Sequence, residues 1–134
     1  MKQETINGKW EFIKFPGKDI VALKEETLPC FDKEKEECVD LPHTWYQDNA
    51  GYRGLAGYRK VMMLECTEYE RVFLCFGAAE RWCRVFVNGK YVGEHKGGYS
   101  AFAFEITSYC RFNEENELLV FVDNRSWDVI SPLT

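Results

Sequence analysis

Long apolar runs are absent from these 134 residues, and no stretch approaches the roughly 18 that a membrane-spanning helix needs. The opening residues, Met1-Lys2-Gln3-Glu4-Thr5, are polar and carry no signal-peptide core. A cytoplasmic location and no membrane partner are expected. Lysine and arginine are scattered singly, and 17 of them face 22 acids for a net charge of −5. A nucleic-acid partner would call for a basic patch, so none is expected. Histidine is scarce, with His43 and His95 the two in the chain. Six cysteines occur, Cys30, Cys38, Cys66, Cys75, Cys83 and Cys110, but no Cys-x-x-Cys, and neither histidine sits beside a cysteine pair at zinc spacing. No metal or cofactor is expected. The cysteines read as reduced structural thiols, with Cys75 and Cys83 packed as small hydrophobes. A Walker loop, a Gly-x-Gly-x-x-Gly and a Gly-x-Ser-x-Gly elbow are all missing. The usual signals for nucleotide binding and for a serine hydrolase are therefore missing too.

What is present is aromatic and strand-like. Aromatics make up 16% of the chain, which suits strand faces and also suits stacking on sugars or bases. Trp10–Phe15 reads as a strand stopped by Pro16-Gly17. The charge run Lys33–Glu37 reads as a solvated loop. Val39–Trp45 carries Pro42, which confines a strand to an edge or an end. Asn49–Gly57 holds three glycines and reads as a loop, followed by a strand over Tyr58–Leu64. Further strands are expected at Arg71–Phe76, Trp82–Val87, Lys90–Gly93, Phe102–Ile106 and Glu117–Val122. Asn88-Gly89 predicts a type I′ hairpin turn, and Asp123-Asn124 a strand-ending turn. No amphipathic helix longer than two turns is visible. The pattern is an all-β sandwich or barrel in one domain. Core positions are expected at Trp10, Phe12, Trp45, Phe73, Phe76, Val85, Val87, Phe102, Phe104, Leu118, Val120 and Val122.

Catalytic chemistry is harder to find. A glycosidase needs two carboxylates across a cleft. With 22 acids a pair can always be nominated, so the count decides nothing. His43 and His95 are the candidates for a neutral-pH base, and each reads more simply as a loop residue with one hydrogen bond.

The ordered motifs say more. Leu41-Pro42-His43-Thr44-Trp45, Gly57-Tyr58-Arg59-Lys60, Arg71–Leu74 with Phe76-Gly77-Ala78, Val85–Gly93, His95–Phe102, Phe104–Thr107 and Asn116–Asn124 follow one another over residues 8 to 132. This series resembles the N-terminal jelly-roll domain of glycoside hydrolase family 2, the family of β-galactosidases, β-glucuronidases and β-mannosidases, and is most like β-galactosidase. Thr44 stands where that family commonly has Asp, Gly57 where it has an aromatic, and Ala101 where it has Pro.

The resemblance implies a jelly-roll or galactose-binding-domain-like β-sandwich, truncated at its C-terminal end. It implies an immunoglobulin-like domain and a catalytic (β/α)₈ barrel that this chain lacks. The family's catalytic glutamates lie in that barrel, so none is assigned here and the chain alone is not expected to hydrolyse glycosides. The implied role is to wall the terminal-sugar pocket of the barrel, which is one partner; the β-linked sugar is another. Two stretches match the pocket loops in position, 46–54 and 124–128. Within them Asp48, Asn49, Tyr52, Arg53, Trp127 and Asp128 have sugar-binding character: polar groups for hydroxyls and aromatics for a ring face. A homo-oligomer is expected. Two other readings stand beside this one: a free-standing carbohydrate-binding module, and a structural or oligomerisation scaffold. A sandwich cut short leaves an unpaired edge, which predicts self-association.

Overall fold

The computed structural model describes residues 6, 8–32, 34, 36–41, 54–65, 71–76, 82–96 and 102–123. Eight strands account for most of them: β1 Gly8–Phe15, β2 Glu37–Leu41, β3 Leu55–Met63, β4 Phe73–Phe76, β5 Trp82–Val87, β6 Lys90–His95, β7 Phe102–Glu105 and β8 Glu115–Asp123. The helical pieces among the described residues are three single 3₁₀ turns, at Ile20–Ala22, Glu25–Thr27 and Thr107–Tyr109. None is long or apolar enough to cross a membrane.

A six-stranded sheet runs β2-β1-β3-β8-β5-β6, and a two-stranded sheet pairs β4 with β7. Every pairing is antiparallel. Period-two alternation sends side chains to opposite faces of the large sheet. Trp10, Phe12, Ala56, Tyr58, Val85, Val87, Leu118 and Val120 face inward, where Leu74, Phe76, Phe102 and Phe104 of the small sheet close over them. Ile13, Phe15, Leu55, Phe86, Leu119 and Phe121 face outward. That outer face is also buried, because the crossover from β1 to β2 lies over it with Ile20, Leu23, Leu28 and Phe31. The central strand β8 is thus covered on both sides, and Leu118–Val122 is apolar without alternation.

Two strand glycines make room for these covering layers. A Cβ on Gly93 would lie 2.6 Å from Phe104 on the inner side, and one on Gly57 would lie 2.7 Å from Phe31 on the outer side. Either substitution must displace a ring.

Polar contacts pin the frame at the hairpin end. Asn88 and Gly89 adopt φ 52° and 80°, the type I′ geometry expected of Asn-Gly. The Asn88 amide donates to Tyr109 O at 2.8 Å and to Asn116 Oδ1 at 2.9 Å, and its Oδ1 accepts from Glu117 N–H at 3.0 Å. Asn116 is 2% exposed, and it also accepts from Arg111 N–H and donates to Arg111 O and Glu114 O. On the outer face Arg59 bridges Glu11 at 2.8 Å and Glu117 at 2.7 Å.

Four expectations are corrected. Leu55-Ala56-Gly57 is strand, not loop, because it pairs with both Phe15–Ile13 and Asp123–Phe121. Phe73 is 47% exposed: on β4 the alternation turns Leu74 inward and Phe73 outward, under the Arg71 guanidinium at 5.1 Å. Cys75 shares that outer face and is exposed. His95 is no loop residue, since it ends β6 and stacks on Phe102 at 3.9 Å with a buried, unpartnered Nε2. Cys83 does pack in the core, and burial pushes its thiol up to about 11. Trp45 and His43 lie outside the described residues.

Candidate functional site

Antiparallel pairing decides which loops meet. Strand β3 starts at Leu55, directly opposite Asp123, the last residue of β8. Asp123 is also opposite Trp82, which starts β5, and Leu55 is opposite Phe15, which ends β1. Stretch 46–54 runs into β3 and stretch 124–128 runs out of β8. Their roots are therefore neighbours on adjacent strands, about 5 Å apart, although some 70 residues separate them in sequence. Asp48, Asn49, Tyr52, Arg53, Trp127 and Asp128 themselves lie outside the described residues.

The described residues around these roots have their own chemistry. Asp123 is 4% exposed, paired between Leu55 and Trp82. Trp82 Nε1 donates to Glu94 Oε1 at 3.0 Å, and the same oxygen accepts from Arg84 Nε at 3.0 Å. The Trp82 bond, then Arg84, holds the Glu94 carboxyl below its usual range. Lys96 Nζ lies 4.4 Å from the Trp82 ring centre. Arg84 Nη1 reaches the other way, to Ile20 O at 2.8 Å, and ties the crossover to this end of the sheet. The 3₁₀ turn it grips is capped by Asp19, whose Oδ1 accepts from Val21 N–H at 3.1 Å.

Glu94 and Glu105 are held in their ionised form. Glu105, bound by Arg71 first and Thr107 second, is shifted down like Glu94. A general acid at neutral pH needs the opposite shift. Among the described residues no cluster of His, Cys, Asp and Glu has the makings of a metal site.

Sequence reasoning missed Trp82, Glu94 and Lys96 at the loop end. The signal available was Trp82 at a strand start with Glu94 twelve residues on, across a hairpin. Asp123 was legible as a strand end; its burial was not, because that depends on its two neighbours.

Comparison with known proteins fits this geometry. Residues 48–132 match the model described as "Glycosyl hydrolases family 2, sugar binding domain". A β-glucuronidase of Bacteroides fragilis is 40% identical over 102 residues, covering 71% of this chain and 15% of its own. A β-galactosidase of Thermoanaerobacter pseudethanolicus is 38% identical over 140 residues, covering 98% of this chain and 18% of its own. Among solved structures, the Dictyoglomus thermophilum β-D-glucuronidase superposes with a TM-score of 0.68 at 27% identity, over 89% of this chain and 19% of that one. The Faecalibacterium prausnitzii β-glucuronidase gives 0.73 at 25% identity, over 91% and 21%. The chain thus spans about a fifth or less of the length of the relatives it matches.

Proposed function

Since the chain belongs to glycosyl hydrolase family 2, as the family's sugar-binding domain, we propose that it walls the terminal-sugar pocket of a longer exo-β-glycosidase, a β-galactosidase in the first instance. The observation that carries this reading is the pairing of Leu55 with Asp123. It brings together, at one end of one sheet, the roots of the two stretches to which the family resemblance assigns sugar contacts. The catalytic carboxylates belong to the barrel of the parent enzyme, and this domain supplies hydroxyl partners and a ring platform beside it. Relatives named both β-galactosidase and β-glucuronidase support the enzyme type. The parent is expected to be a homo-oligomer.

The test uses the parent enzyme. Asp48→Ala and Asp128→Ala each remove a charged hydrogen-bond partner, so each should raise KM for an aryl β-galactoside roughly 10-fold or more. The catalytic machinery is untouched, so kcat should change far less. Unchanged KM in both variants would sink the reading and favour a scaffold. The isolated chain should show no turnover. Millimolar or tighter sugar binding by the isolated chain in calorimetry would favour a free-standing binding module instead.

A further inference from the structure

Phe31 leaves the crossover and lays its ring on β3 where that strand has no side chain. A Cβ on Gly57 would lie 2.7 Å from Phe31 Cζ, 3.0 Å from Phe15 Cε2 and 3.2 Å from Phe121 Cε1. The hollow over Gly57 is therefore full, and a ring from another element fills it. The backbone does not demand glycine there, since Gly57 is not among the glycines with positive φ. The demand comes from the ring. Phe31 meets Phe15 edge-on at 5.6 Å and 77°, and meets Phe121 at 6.3 Å.

The position of this contact matters. Gly57 is opposite Ile13 on one side and Phe121 on the other. Two residues along β3 is Leu55, and two residues along β8 is Asp123. These are the roots of stretches 46–54 and 124–128. Elsewhere the crossover packs through Ile20, Leu23 and Leu28 on the same face, and it is hydrogen-bonded through backbone carbonyls to Arg84 and through Glu25 Oε2, which accepts the Tyr91 N–H at 2.7 Å. Those bonds fasten it to β5 and β6. Phe31 fills the hollow over Gly57 of β3, against Phe15 of β1 and Phe121 of β8.

We propose that Phe31 is a plug: seated over Gly57, it locks the crossover onto the sheet and holds the two loop roots in register. The proposal concerns packing, so its failure leaves the sugar-pocket reading standing, and the converse also holds.

A side-chain swap on the 134-residue chain tests it. Phe31→Ala should lower the melting temperature by roughly 10 °C. It should also speed hydrogen exchange of the amides at 55–58 and 120–123 about tenfold or more. Gly57→Phe alone should be damaging, because the hollow is occupied. Gly57→Phe in the Phe31→Ala background should regain at least half of the lost melting temperature. If Phe31→Ala moves neither readout, or if Gly57→Phe costs as much in both backgrounds, the plug is wrong. Should Phe31→Ala fail to fold, Phe31→Leu carries the comparison. Gly57→Ala must then cost less beside the shorter leucine than beside phenylalanine, and equal cost overturns the proposal.

Discussion

At the residue scale, buried polarity is concentrated at Asn116. Its amide satisfies Arg111 at both backbone ends, Glu114 O and the Asn88 side chain. Replacing it with leucine strands those groups in a dry site. Asn116→Leu should lose about 3 kcal/mol in urea unfolding, and a loss under about 1 kcal/mol would show that the network relaxes. The sequence showed an Asn ahead of a strand and nothing of its four partner groups, which come from the turn before β8 and from the β5–β6 hairpin. Surface carboxylates set the acid limb of stability. Glu94 and Glu105 titrate below their usual range in the fold, through Trp82 with Arg84 and through Arg71 with Thr107. A carboxyl lowered by folding stabilises above its unfolded pKa and loses that contribution as pH falls through the folded one. The melting temperature should be flat near neutrality and drop below about pH 4.3. Glu105→Gln should flatten part of that drop, and an unchanged acid limb would remove Glu105 from the account.

At the element scale, strand identity was readable wherever turn chemistry and alternation agreed. The β5–β6 hairpin is the clearest case, with Asn88-Gly89 in the conformation its residues favour. The start of β3 was not readable. Glycine-rich Gly54–Gly57 looks like loop until two neighbouring strands are known to pair with it and a distant ring to need its space. Phe73 misled for the reverse reason: aromatics usually point inward, and here the partner that shields it is Arg71 on the outside. Among the described strands, the edges of the large sheet are β2 and β6. Unpaired edges invite pairing with another chain, and a carboxylate on an edge amide opposes it. Glu25 does this at Tyr91 N–H. Glu25→Ala should therefore raise the self-association of the chain in sedimentation velocity, most clearly at high protein concentration. An unchanged distribution would mean that the β6 edge is protected by something else.

At the scale of the whole molecule, the fold class and the family were legible because motif order survives substitution. The proposed pocket residues were legible only as types in a position, since sugar contacts are made by loop geometry and not by strand periodicity. What the structure adds is adjacency, because the roots of stretches 46–54 and 124–128 meet through Leu55 and Asp123. The strand order has a further consequence, for how the chain is made. Among the described strands, only β5 and β6 are neighbours in both sequence and sheet through a tight turn. Strand β8 lies between β3 and β5 yet is the last of the eight to be synthesised. Until it emerges from the ribosome, the two halves of the large sheet have no common strand and neither face of the core can close. Such long-range pairing makes folding slow and leaves the nascent N-terminal strands in need of protection. The central strand, not the first hairpin, is then the step that commits the chain to its fold.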